Sequence, residues 1–218
     1  MHEATQITYG DGIVNIIMNT ESMTEVAAPE IRLGDYSDTL TACFTRKELD
    51  AIEAGDTAEL VFNFTMVDEL TDRKETAIFE KAIAREEKKS GKLEKGMYFR
   101  MEATKSVAGE EAEEMNAFYD NIEYQLQLPL YLVREERSYY AMTNVLGVCE
   151  LALDEDGEAD TFTVTSNDIG TTLILYQEGD TSTDPEIGSG FSGTYIILAG
   201  IVALVIAWFR VDHMHKKQ

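Results

Sequence analysis

The chain has 218 residues, with 41 Asp and Glu against 18 Lys and Arg, giving a formal net charge of −23 and a sequence pI of about 4.3. A surface so acidic repels polyanions and excludes nucleic acid as a partner. Its 44% apolar residues suffice for one buried core at roughly 100 to 200 residues per domain. The three histidines, His2, His213 and His215, all lie near a terminus. Ser/His/Asp and Cys/His catalysis and the usual zinc sites therefore have no imidazole to draw on.

In chain order, Ile7 to Met18 reads as an N-terminal strand, within a region 1–38 that either joins the domain behind it or belongs to whatever precedes it. Thr45 to Gly55 predicts a helix: Thr45 caps, Glu48 completes a T-x-x-E capping box, Gly55 supplies the stop, and Leu49 and Ile52 face inward. From Thr57 to Val67, Leu60, Phe62, Phe64 and Met66 alternate as in a strand with one face on a core. Asp72 to Lys89 predicts a charged surface helix. Met97, Phe99, Met101 and Ala103 then alternate again, as do Ile122, Tyr124, Leu126 and Leu128, with Pro129 ending the strand. Tyr139–Asn144 and Val148–Leu153 flank a Leu146-Gly147 turn, and Thr161–Thr165 and Thr171–Tyr176 read as a further pair. The expected fold over 39–176 is mostly β, an antiparallel β-sandwich with two inserted surface helices.

The C-terminal region reads differently. Residues 177–190 (QEGDTSTDPEIGSG) are acidic and small, a flexible stalk. Residues 191–209, FSGTYIILAGIVALVIAWF, carry no charge, and as a helix would span about 28 Å, one hydrocarbon thickness. Tyr195 and Trp208 suit its interfaces, and Arg210 opens a basic tail, 210–218. The positive-inside rule places that tail in the cytoplasm and the N-terminal domain outside a cell membrane crossed once. The first residues show no signal peptide, so export needs a longer precursor; without one the chain reads as a tail-anchored cytosolic binding domain. Ala199, Ala203 and Ala207 form a small-residue face in the span on which two helices could pack closely.

Candidate chemistry is sparse. The run Asp154, Glu155, Asp156, Glu158 and Asp160 has carboxylates enough for calcium, but Gly157 and Thr165 break EF-hand spacing, and a solvated hairpin turn on Asp156-Gly157 is expected. Glu110, Glu111, Glu113 and Glu114 read as an exposed run, and Lys88, Lys89, Lys92 and Lys95 as a solvated face. Of the consecutive Tyr139 and Tyr140, at most one belongs to the core. Cys43 and Cys149, the only cysteines, could be joined by a disulfide or could be two separate buried thiols. No catalytic residue, metal site or cofactor is expected.

The run Leu49-Asp50-Ala51-Ile52-Glu53-Ala54-Gly55, the strand after it, the helix from Asp72 and Gly96-Met97-Tyr98-Phe99 resemble the C-terminal β-sandwich module of cell-surface proteins from clostridial, Gram-positive anaerobes. Thr161-Phe162-Thr163-Val164 and Asp168 to Tyr176 occupy the places of that module's closing strands, with Ile169, Gly170 and Thr172 as departures. The resemblance spans about Leu40 to Tyr176 and implies a surface module with no activity to carry across. The expectation is a membrane-anchored extracellular structural or adhesive module, not an enzyme, partnered by the lipid bilayer and by a protein or surface polymer.

Overall fold

About half of the described residues are in strands, and the alternation of apolar side chains decides which way each sheet faces. The computed structural model describes residues 2–25 and 27–179. The expected transmembrane span 191–209 with Ala199, Ala203 and Ala207, the tail 210–218 and most of the stalk lie outside these residues. Among the described residues no helix is long and apolar enough to cross a membrane.

The single N-terminal strand expected from Ile7 to Met18 is a hairpin of β1 (His2–Tyr9) and β2 (Gly12–Ser22). Its two-residue turn is Gly10-Asp11, with Gly10 at φ +62°, the glycine-first pattern of a type II′ turn. The glycine also permits close approach: a Cβ at Gly10 would sit 2.6 Å from Glu53. Asp11 N–H donates to the Glu53 carbonyl at 3.0 Å. β2 then pairs in parallel with β4 (Thr57–Val67), Ile13 opposite Thr57 and Ser22 opposite Met66.

Between them the chain forms β3 (Ile31–Leu33), α1 (Tyr36–Cys43) and α2 (Arg46–Glu53). With α3 (Arg73–Ser90) this makes three helices among the described residues, where two surface helices were expected. α1 escaped notice because YSDTLTAC is poor in helix formers. It is set by Asp35, whose carboxylate accepts from the N–H groups of Ser37 (2.7 Å) and Asp38 (3.2 Å), and by burial of Leu40, Ala42 and Cys43. α2 has the expected capping box. It ends in a Schellman motif, Asp56 N–H to the Ala51 carbonyl and Gly55 N–H to Ile52, with Gly55 at φ +117°.

The remaining strands are β5 (Glu94–Val107), β6 (Glu113–Met115), β7 (Ala117–Gln127), β8 (Arg137–Val145), β9 (Val148–Leu153), β10 (Thr161–Asp168) and β11 (Thr171–Glu178). One sheet runs β1-β2-β4-β5-β11-β8-β9, with β6 also on β5; the other runs β10-β7-β3. β8 and β9 form the expected hairpin on Leu146-Gly147. The expected pairing of Thr161–Thr165 with Thr171–Tyr176 does not occur: β10 pairs with β7, whereas β11 lies between β5 and β8. The acidic run from Asp154 is likewise no hairpin turn, because it crosses from β9 in one sheet to β10 in the other.

Alternate residues of the central strands feed two separate cores. Met97, Phe99, Met101 and Ala103 of β5, Ile174 of β11, and Tyr139 and Ala141 of β8 join the main core, which also holds Leu60, Phe62 and Phe64 of β4, Tyr124 and Leu126 of β7, Phe162 of β10 and Leu40, Phe44 and Ile52 of the helices. The intervening Tyr98, Leu173, Leu175 and Met142 meet Phe79, Ala82 and Ile83 of α3 on the other face. Tyr124 crosses the gap between the sheets, its ring centroid 6.3 Å from Phe64 and 6.2 Å from Phe99. Full burial of each such side chain contributes about 1.5 to 3 kcal/mol.

One charge lies inside the main core. Lys105 is 3% exposed, and its Nζ donates to Glu48 Oε2 at 2.7 Å and to the Tyr119 hydroxyl at 3.3 Å, with the Phe44 ring 5.7 Å away. Because Glu48 is also the capping residue of α2, this pair ties the helix to β5. Desolvation opposes the charge on Lys105, but the hydrogen bonds it donates to Glu48 and Tyr119 outweigh it and raise its pKa above the ordinary 10.5. Desolvation likewise opposes the charge on Glu48, and hydrogen bonds from Lys105 and Thr45 reverse it, holding the carboxyl below the ordinary 4.5.

Glu48→Gln keeps the capping pattern but leaves Lys105 buried without its counterion. Urea denaturation should show a loss of about 2 to 3 kcal/mol, with Lys105→Met in the same chain recovering most of it. The pair's stabilisation is complete between the two ordinary values. It is lost as pH falls through the depressed Glu48 pKa and as pH rises through the raised Lys105 pKa, and the double variant should lack both losses. A second expectation concerns the β8–β9 turn, where Leu146 is fully exposed at φ +50°. Leu146→Asn should raise stability by about 1 kcal/mol in the same assay, since Asn tolerates this conformation and no packing is lost.

Candidate functional site: the open face of the large sheet

α3 covers only the β5-β11-β8-β9 part of its face. Over β1, β2, β4 and the second half of β5 no other element of the described residues covers the sheet, and the side chains that turn outward there form polar rows with an apolar row of Ala4, Ile17 and Val61 between them. Strand register sets them in rows: His2, Asn19, Asn63 and Glu102 lie opposite one another across four strands, flanked on one side by Glu21, Thr65 and Arg100. Gln6, Asn15 and Glu59 form a further row. The same alternation that sends Val14, Ile16 and Met18 into the core produces this surface.

The amides are linked across the strands. His2 Nδ1 lies 2.7 Å from Asn19 Oδ1, Asn19 Nδ2 donates to Asn63 Oδ1 at 2.9 Å, and Gln6 Nε2 donates to Asn15 Oδ1 at 3.0 Å. Among the described residues no hydrogen bond or ion pair is made by Asn63 Nδ2 or by the exposed Glu102 carboxylate, so a donor and an acceptor stand side by side. Both residues line two adjoining depressions. One, of about 370 Å³, includes Asn19, Glu21 and Thr65; the other, of about 660 Å³, is bordered by Thr104, Glu114, Asn116, Leu146 and Ile169. Phe62 and Phe64 turn to the core, so the face has no aromatic platform. Its chemistry is that of two hydrogen-bonding rows separated by the apolar side chains of Ala4, Ile17 and Val61.

The residues singled out from sequence fall elsewhere. Cys43 and Cys149 are both free and buried. A disulfide between them is ruled out by the sheet itself: Cys43 belongs to the main core and Cys149 to the cluster under α3, on opposite faces. Burial pushes the Cys43 thiol up to about 12 and raises that of Cys149 as well. In the acidic run, Asp154 Oδ1 accepts from Thr163 N–H at 3.0 Å, and Asp156 Oδ2 accepts from Thr161, Thr163 and Gln125. These carboxylates thus fasten the crossing between the sheets. Among the described residues no three His, Cys, Asp or Glu side chains are grouped to hold a metal ion.

Glu113 and Glu114 lie in β6 and are exposed. Lys92 pairs with Glu94 and Lys95 with Glu80, while Lys89 pairs with Glu86. Tyr139 is in the main core and Tyr140 on the α3 side. The amide rows were missed because the alternation was read for its apolar half only; Asn15, Asn19, Asn63 and Glu102 are its other half.

None of the family models, curated proteins or solved structures compared with the chain matches it.

The two thiols should be inert to maleimide in the native protein at neutral pH and both react after unfolding in urea, read by intact mass. A mass increase of one or two adducts without denaturant would contradict their burial.

Proposed function

We propose that the protein is a membrane-anchored extracellular structural or adhesive module of a bacterial surface, in which residues 2–179 form a β-sandwich-type domain held off the bilayer by the acidic stretch after Gly179. The observation that carries this reading is the open face of the large sheet, where amide rows flank the apolar row of Ala4, Ile17 and Val61 and Asn63 and Glu102 offer hydrogen bonds to a surface polymer or protein. The uncharged run 191–209 with its basic tail supports the anchor, and the negative charge suits a solvated domain. In this reading the domain binds or spaces and carries out no reaction. The resemblance to clostridial surface modules agrees with it.

A second reading, a tail-anchored cytosolic protein-binding domain, is favoured by the thiols. Cys43 and Cys149 sit where they cannot pair, so the domain needs no oxidising compartment.

Protease treatment of intact cells, with detection through an epitope placed at the Lys217 end, separates the two. An exterior domain gives loss of the full-length band and a small membrane-held stub. Protection until the membrane is permeabilised would defeat the surface reading and leave the cytosolic one.

A further inference from the structure

β9 is an edge strand, and the geometry of its hairpin fixes which of its backbone groups are free. Val145 and Val148 close the two-residue turn, so hydrogen bonds to β8 are exchanged at Val148, Glu150 and Ala152. The next bond in this pattern is Asp154 N–H to the Tyr139 carbonyl at 3.2 Å. Cys149, Leu151 and Leu153 therefore turn their N–H and C=O groups away from the sheet. At Cys149 the outward carbonyl already takes a side-chain donor, Arg85 Nη2 at 3.1 Å; beyond it, at Leu151 and Leu153, no partner among the described residues pairs with the edge.

Alongside the start of this edge runs a groove of about 680 Å³ between α3 and the hairpin. Its charged lining is entirely basic, Lys81, Arg85 and Lys88, in a chain of net charge −23. Arg85 is partly engaged by Glu86 at 2.8 Å, but Lys81 and Lys88 make no ion pair among the described residues. The nearest strand carboxylate, Glu150, points to the other face, since Cys149 and Leu151 on either side of it pack toward α3. Val148 and Leu153 are 60% and 64% exposed, so the edge also offers apolar contact.

We propose that β9 and this groove bind an extended acidic segment of another protein, which adds as a strand beyond β9 and sets its carboxylates against Lys81, Arg85 and Lys88. Main-chain bonds at Leu151 and Leu153 hold the segment, and the cations select its sign. A second copy of this chain suits the edge less well. Antiparallel addition about a twofold axis would carry the second α3 to the same face and line up the cations of both copies along one seam. The inference rests on the fold alone, so the protease experiment can fail without touching it.

The test uses the full-length protein in detergent and fluorescein-labelled peptides of about ten residues that alternate Glu with Thr or Lys with Thr, followed by fluorescence anisotropy. The glutamate peptide should bind and the lysine peptide should not. Lys81→Glu combined with Lys88→Glu should weaken binding at least about tenfold, and high salt should weaken it as well. Leu151→Pro removes an outward N–H without breaking a bond to β8, and should abolish binding while circular dichroism shows the fold intact. Arg134→Glu, at a cation distant from the groove, should leave affinity unchanged. Equal binding of both peptides, no binding of either, or undiminished affinity in the double lysine variant overturns the proposal. Light scattering that reports a dimer dissolved by the same lysine variant would assign the edge to a second copy and overturn it too.

Discussion

Because β2 and β4 run parallel, the chain that leaves β2 at Ser22 has to travel back along the sheet before β4 can start at Thr57. That return passes over one face and contains β3, α1 and α2, with Ile31, Leu33, Leu40, Phe44, Leu49 and Ile52 all in the main core. The crossover is thus also the cover. It explains why a buried ion pair is tolerated at Lys105 and Glu48: α2 must be held against β5 at one position, and a charge desolvated between Phe44 and Tyr119 has one partner that satisfies it. The same crossover places Glu53 against Gly10 and fixes the β1–β2 hairpin to the end of α2.

α3 imposes the second constraint, by covering one end of the opposite face and leaving the other end bare. Where it lies, the strands are apolar on both sides, as Met97-Tyr98-Phe99 and Leu173-Ile174-Leu175 show, each fully or nearly fully buried. Where it does not, they alternate cleanly between Leu60, Phe62 and Phe64 on the core side and Glu59, Val61 and Asn63 on the other. The polar face begins where α3 begins, its first turn from Arg73 setting Glu75 beside Arg100 and Asn144. A longer helix would have needed apolar residues at Asn63 and Glu102.

This division also sets what could be read from sequence. Strands with one buried face were legible: β4, β5 and β7 lie where the alternation put them, and α2 begins and ends on its capping signals. What failed was pairing. Nothing in the period of Thr161–Thr165 and Thr171–Tyr176 says that the turn at Ile169-Gly170 changes sheets, since a hairpin and a sheet crossing share the same local pattern. α1 was illegible because its order comes from a cap at Asp35 and from burial. The amide rows could have been found, because once β2 and β4 are known to be adjacent, Asn15, Asn19 and Asn63 must share a face. Their neighbourhood with Glu102 required the register of β5.

Three cations of this acidic chain sit at seams of the structure. Lys105 joins α2 to β5. Arg85 reaches from α3 to the edge of β9. Arg137 closes the end of β11: its Nη1 donates to the Leu132 carbonyl at 2.7 Å, its Nη2 to Glu178 at 2.7 Å, and its guanidinium stacks 3.9 Å from the Tyr176 ring centroid. In each case one arginine or lysine satisfies acceptors from two elements, as the carboxylate of Asp156 does for donors on β7 and β10. The negative surface keeps the domain solvated, and these three cations help to hold it together. Among the described residues Lys81 and Lys88 make no such bond, and both line the groove between α3 and the β8–β9 hairpin.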